Sequence, residues 1–256
     1  MIGLLAHQTR YDLLVFGRNR QARFFTVLLP VIFLVIFVSV FGNNRVGPEH
    51  LKASTYYVPG IAALAILSAS LTNLVISITA QRELGVLKRR RATPVPAWVL
   101  IVARALTALV ISFAVMAIVI AIGRLAYGVH LSASALPVTV VTAAVGSVAF
   151  ACMGYALSTV IASADGAQPV VLAITLPLNF ISGIFIPSVR LSNGLRHVAE
   201  IFPVEHLVAA LNRGFVPGAH ATAIAWGDLA VIAAWGLAGL LFATTRFRWE
   251  PSTAPS

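Results

Sequence analysis

Apolar residues in this chain do not alternate with polar ones; they run on in blocks. The runs 33–38 (Phe33, Leu34, Val35, Ile36, Phe37, Val38) and 114–120 (Ala114 to Ile120) contain no polar residue. A transmembrane barrel strand alternates apolar and polar positions over roughly 10 residues. A continuous run isolated in lipid satisfies its backbone only as a helix. About 20 apolar residues cover a bilayer core of roughly 30 Å. Six blocks qualify, at 24–41, 56–80, 97–122, 136–161, 169–186 and 223–244. The pattern therefore predicts an all-α integral membrane protein, with residues 24–244 forming a single domain of six transmembrane helices.

The flanks and links are unequal. Residues 1–23 do not read as a cleavable signal, because His7, Gln8, Thr9, Arg10 and Asp12 interrupt any apolar core and no small-residue cleavage site follows. They read as an interfacial amphipathic helix, with Leu5, Leu13, Leu14 and Phe16 available to dip into the headgroups. The link 187–222 is long but carries Leu195, Val198, Ile201, Phe202, Val204, Leu207 and Leu211. It is expected to form short helices that re-enter or lie on the outer leaflet, broken at Pro203. Residues 245–256 form a tail whose end, from Glu250 onward, reads as disordered.

Composition agrees: 59% of the 256 residues are hydrophobic and 10% charged, against about 25% charged in a soluble domain. Mean hydropathy is +0.92. The net charge of +10 would suggest nucleic acid in a soluble protein. Here no aromatic-interleaved basic patch exists, and nucleic acid is excluded as a partner. The bias of Lys and Arg toward the cytoplasm explains the charge. With the N-terminus inside, 12 of the 18 Lys and Arg fall inside and 6 outside, so both termini are expected in the cytoplasm. Arg104, about two turns into the third span, is expected to snorkel to the surface. Arg-over-Lys and Ala-rich usage suggests a bacterial plasma membrane. Cys152 sits in an apolar setting and reads as a packing residue.

Candidate chemistry is thin. A phosphate-binding loop needs Gly-Lys followed by Ser or Thr; Lys52 and Lys88 are the only lysines, and leucine precedes both. Energy must come from a partner or a gradient. No two of the six histidines have ligand spacing, so no metal site is expected, and no catalytic set is assigned. Glu205-His206 reads as interfacial rather than as an acid–base pair. Asp228, near the outer end of span six, is the one acid within an apolar block. A gradient-driven transporter would use it, and a membrane enzyme on lipid-linked substrates would use Glu205, His206 or Asp228. Polar residues within the spans mostly read as helix–helix hydrogen-bonding groups; Ser70, Asn73, Asn179 and Ser182 are the candidates for lining a pathway.

Three segments are more particular. Residues 81–96 join Gln81, Arg82 and Glu83 to Leu84, Gly85 and Leu87, then to the basic run Lys88, Arg89, Arg90, Arg91, ending at Thr93-Pro94. This reads as an anchor for anionic lipid, or as a short docking helix with Leu84 and Leu87 on one side. Tyr56, Tyr57, Pro59 and Gly60 open span two, where an aromatic belt and a helix-start proline are the simple readings. Residues 180–187 (Phe180 to Pro187) end span five, and Pro203, Glu205 and His206 follow.

In this order the segments resemble the permease subunits of type-2 ATP-binding-cassette (ABC-2) exporters, near the daunorubicin-resistance branch. Arg90 stands where many relatives have Leu, and Ile186 makes the end of span five more apolar than usual. The resemblance implies that Arg82, Glu83, Leu84, Gly85, Leu87, Lys88 and Arg89 belong to a coupling helix that contacts the ATPase. It implies that 1–23 is the elbow helix, and that 187–213 forms outer re-entrant helices with Phe185, Pro187, Pro203, Glu205 and His206 at an outer gate. ATP and Mg would be bound by a partner ATPase, present in two copies, with none in this chain. A second permease copy or a paralogue would complete the transporter, in contact with membrane lipids. With few buried charges, the expected cargo is an amphiphilic drug, lipid or glycoconjugate.

Overall fold

The computed structural model describes residues 2–42, 44–46, 51–91, 97–187, 191–215 and 223–246. Thr93-Pro94, Arg190 and the tail beyond residue 246 lie outside them. Among the described residues, six helices are long and apolar enough to cross a membrane: span one (Arg20–Phe41), span two (Ala53–Glu83), span three (Trp98–Tyr127), span four (Ala133–Val160), span five (Ala164–Ile181) and span six (Trp226–Arg246). Four further helices among the described residues lie outside them: α1 (Ile2–Arg18), α2 (Val86–Arg91), α3 (Asn193–Ala199) and α4 (Pro203–Arg213). A short antiparallel pair, β1 (Arg45–Val46) and β2 (Leu51–Lys52), joins spans one and two. The helices alternate in direction, so one end of the bundle carries α1, α2 and most of the arginines. That is called the basic end here, and the other the far end.

Several span boundaries differ from the hydropathy reading, those of spans five and two most informatively. Span five begins five residues before Pro169, because Ser163 caps it by accepting from the N–H of Gly166 at 3.2 Å, with Asp165 in the first turn. It stops at Ile181, where Gly183 takes φ +79°, a conformation that side chains with a Cβ rarely adopt. Span two begins at Ala53, so Pro59 lies inside the helix and does not start it. Its backbone widens into a π-helical turn at Ser68–Thr72, beside another in span one at Phe24–Leu28. Such turns leave the regular i to i−4 ladder and free backbone groups.

Span two is the centre of the bundle. Tyr57, Ile61, Ile66 and Val75 are fully buried, against spans one, three and four and α4. Spans four and six approach closely through small residues: a Cβ placed on Gly236 would meet Ala149 Cα at 2.8 Å, and one on Gly239 would meet Met153 Cα at 3.0 Å. The outward faces carry Val35, Ile36, Val110, Ile118, Leu176, Leu237 and Leu241. An apolar exterior around a tightly packed interior suits a lipid solvent.

Candidate functional site

At the basic end, the last turn of span two carries Arg82 and Glu83, and both reach across the link between spans four and five. Arg82 is only 5% exposed. Its guanidinium donates to the carbonyls of Ser158 at 2.8 Å and Ala162 at 3.4 Å, and also to Ile161. The C-terminal carbonyls of a helix have no partner within it and carry partial negative charge; the planar fork of arginine suits several at once. Glu83 accepts from the N–H of Ala164 at 2.6 Å, at the positive N-terminus of span five. One dipeptide therefore holds the end of one span and the beginning of the next, each with the matching charge.

The chain then turns at Leu84 and Gly85, where Gly85 adopts φ +66°. The sequence places Leu84 and Leu87 on one side of a single short helix. In the structure α2 starts only at Val86, and the two leucines part company. Leu87 is buried with Leu74, Ile78, Ala151, Tyr155 and Ala243, whereas Leu84 is 70% exposed. Lys88 and Arg89 are exposed beside it, and Arg89 donates to the carbonyl of Leu84 at 3.3 Å. Outward, the hairpin presents an aliphatic tip flanked by cations.

Arg104 turns toward α1 and span two rather than into open solvent. Its side chain is 12% exposed, lies 3.7 Å from Asp12 of α1 and donates to Ser77 of span two. The reason is local: α1 packs across span three and brings a carboxylate to it.

The far end is closed by a turn that the sequence did not foretell. Tyr56 and Tyr57 are buried and are not belt residues. Their hydroxyls donate to the carbonyls of Gly183 at 2.7 Å and Phe185 at 3.4 Å. Phe185 packs among Phe33, Phe37 and Phe180, with centroids 5.1–5.4 Å away. The Ile184 backbone lies against span two at Gly60, at a distance that a Cβ there would meet in ordinary contact. Pro187 is buried as the chain leaves this turn.

Pro203 is the first residue of α4, which packs on span six. His206 Nδ1 lies 2.8 Å from Asp228 Oδ1, and Nε2 lies 2.9 Å from the carbonyl oxygen of Glu200. Both partners only accept, so the ring can fill both bonds at once only as the imidazolium. Burial of the ring works against that charge, but the Asp228 bond, the Glu200 carbonyl and the charges of Glu205 and Asp228 outweigh it and raise the His206 pKa. Burial also raises that of Glu205; His206 opposes this, while Asp228 and Glu200 add to it. Arg213 donates to Asp228 Oδ2 at 3.0 Å. Asp228 is thus engaged by both Arg213 and His206, which suits a structural latch better than a proton carrier, and both nitrogens of His206 have partners.

The candidate pathway residues separate. Ser70 Oγ lies 3.1 Å from Ser112 Oγ, joining spans two and three. Asn179 Oδ1 and Ser182 Oγ are buried at the end of span five with no hydrogen-bond partner among the described residues. Asn73 lines a small cavity of about 90 Å³ between spans one, two and five, with Thr26, Ser68, Thr72 and Gln168. Helix–helix hydrogen bonding was expected of most span hydroxyls, yet Thr107 and Thr175 bond back to their own helices, to the carbonyls of Ala103 and Val171.

No curated protein matches the chain at a significant level. The profile of the ABC-2 type transporter matches residues 5–216, a stretch from α1 through spans one to five and α4. ABC-2 permease domains serve ATP-driven transport, typically lack an ATPase of their own and generally pair with ABC ATPase subunits. With six candidate spans, the second buried among the others, and a profile match over most of its length, this chain belongs to the ABC-2 type transporter family.

Proposed function

We propose that this chain is the permease subunit of an exporter of the daunorubicin-resistance type in a bacterial plasma membrane. The basic end and both termini face the cytoplasm, α1 is the interfacial elbow, and α3 and α4 are re-entrant helices of the outer gate. Two copies, or this chain and a paralogue, pair with two ATPase subunits that bind ATP and Mg. The cargo is an amphiphilic drug, lipid or glycoconjugate.

The carrying observation is the clasp of Arg82 and Glu83 on residues 158–164, directly behind the exposed Leu84. The ATPase seats on Leu84, Gly85, Lys88 and Arg89. Arg82 and Glu83 work behind that surface, passing its displacement to spans four and five, while Leu87 anchors α2 to the bundle. A shift of the hairpin then moves both spans together, and at the other end of span five lies the turn of Ser182 to Pro187. Packed interfaces of this kind switch between discrete arrangements rather than deforming smoothly.

The test is affinity purification from the native membrane in mild detergent, followed by ATP hydrolysis and transport of a fluorescent amphiphile in vesicles. A co-purifying ATPase that Leu84→Asp releases supports the reading. A chain that purifies alone and moves cargo only on a proton gradient overturns it.

A further inference from the structure

The sequence motifs leave one feature unused: a partly open cavity of about 230 Å³ between α1 and spans one, two and three, walled by Tyr11, Asp12, Asn73, Ser77, Gln81 and Arg104 among others. At about 30 Å³ per water in the liquid, that space suits several waters or one small polar headgroup. Its chemistry is paired but incomplete. Arg104 Nε and Asp12 Oδ2 are 3.7 Å apart, beyond the hydrogen-bond range of about 2.7–3.2 Å. Of the five guanidinium hydrogens, only one has a hydrogen-bond acceptor among the described residues, the hydroxyl of Ser77. Gln81 Oε1 is buried there without a hydrogen-bond partner. A buried charge that keeps most of its donors idle is costly. The gap thus offers a cation's donors on one wall and, on the other, the carbonyl oxygen of Gln81 beside the carboxylate of Asp12, whose Oδ1 already accepts from Gln8 at 3.0 Å.

The mouth indicates what enters. Tyr11 and Val15 line the cavity and are 53% and 45% exposed. They lie on the helix assigned above as the interfacial elbow, where an aromatic and an aliphatic side chain sit among headgroups and upper acyl carbons. Resting on that reading, we infer that the cavity is a resident site for a zwitterionic phospholipid. Its phosphate is held by Arg104 and Ser77, and its ammonium group by Asp12 and Gln81. The lipid would wedge α1 against spans two and three, immediately behind the Arg82–Glu83 clasp.

The experiment is native mass spectrometry of the full-length chain in detergent, after equilibration with phosphatidylethanolamine or phosphatidylglycerol. The expected result is one retained phosphatidylethanolamine, reduced roughly tenfold by Arg104→Gln or Gln81→Leu, the scale of one lost charge-assisted hydrogen bond. Arg104→Lys keeps the charge and much of the binding, which guards against reading a folding defect as lost affinity. Asp12→Asn shifts the preference toward phosphatidylglycerol. Equal retention of both lipids by wild type and Arg104→Gln overturns the site in favour of water. Loss of the lipid during turnover by the assembled complex overturns residency and makes it cargo. Tyr11→Trp, in a chain whose four other tryptophans are replaced by Phe, quenched with brominated lipid, tests the interfacial position of α1 separately; quenching with no retained lipid sinks this site alone.

Discussion

Glu83 accepts a hydrogen bond from the backbone N–H of Ala164 at 2.6 Å, 81 residues away in the chain. Beside it, Arg82 occupies the carbonyls of Ser158, Ile161 and Ala162. Arginine at a helix C-terminus and glutamate at a helix N-terminus each complement the local dipole. Their order in the sequence matches the order of the two helix ends.

Arg82→Ala therefore leaves buried carbonyls without a donor and is expected to cost on the order of 2–3 kcal/mol. Glu83→Ala removes a solvent-accessible cap and costs roughly 1 kcal/mol. The double variant loses less than the sum, since both side chains hold one link. Thermal unfolding in detergent measures all three. Strictly additive losses would mean that the two contacts are independent.

Leu84 and Leu87 make a paired test of docking against packing. Leu87→Ala opens a space among Leu74, Ile78 and Tyr155 and should destabilise by about 2–4 kcal/mol. Leu84→Asp changes an exposed side chain and should leave the melting temperature within a degree or two. Under the proposed coupling, its effect falls on ATPase retention during purification. Unchanged retention with Leu84→Asp would move the docking surface elsewhere.

The far-end latch makes a pH prediction with a definite sign. His206 has a folded-state pKa above its ordinary 6.5, so the folded state holds the proton more tightly than the unfolded chain. That stabilisation is complete below about pH 6.5 and disappears as pH rises through the folded value. Glu205, raised from its ordinary 4.5, acts in the same direction in a window that starts lower. Melting measured from pH 5 to 9 should show stability falling above about pH 6.5 in wild type. In His206→Gln or Asp228→Asn this fall should be much shallower; an unchanged slope in both would remove the latch.

Much of the architecture was legible because lipid leaves few options: each apolar block in the sequence appears as a helix. What hydropathy missed were features set by contacts between distant residues. Ser163 starts span five ahead of Pro169, and Gly183 ends it, yet neither changes the hydropathy of its block. The segment 82–89 stood out by composition, but the inward reach of Arg82 and Glu83 depends on where the link between spans four and five lies. Tyr56 and Tyr57 looked like belt residues because their carbonyl partners are 127 and 128 positions away. The cavity under α1 left one trace in the sequence, Arg104 within an apolar block.

The packing of spans four and six supplies the last prediction. Gly236 faces Ala149 so closely that a Cβ would lie 2.8 Å from the Ala149 Cα. Backbone cannot yield as the tip of a long side chain does, so Gly236→Ala must push the two helices apart. The general preference of helices for Ala over Gly, worth up to about 1 kcal/mol, works in the opposite direction and makes the test demanding. Overpacking of a tight site costs about 1–3 kcal/mol, so net destabilisation is expected, and Gly236→Leu should be worse. Gly227, in the first turn of the same helix, has nothing within 4 Å of an added Cβ. Gly227→Ala should therefore be neutral or mildly stabilising. Thermal unfolding of the three variants separates the two effects, and a Gly236→Ala protein as stable as Gly227→Ala would show that the helix contact is looser than 2.8 Å implies.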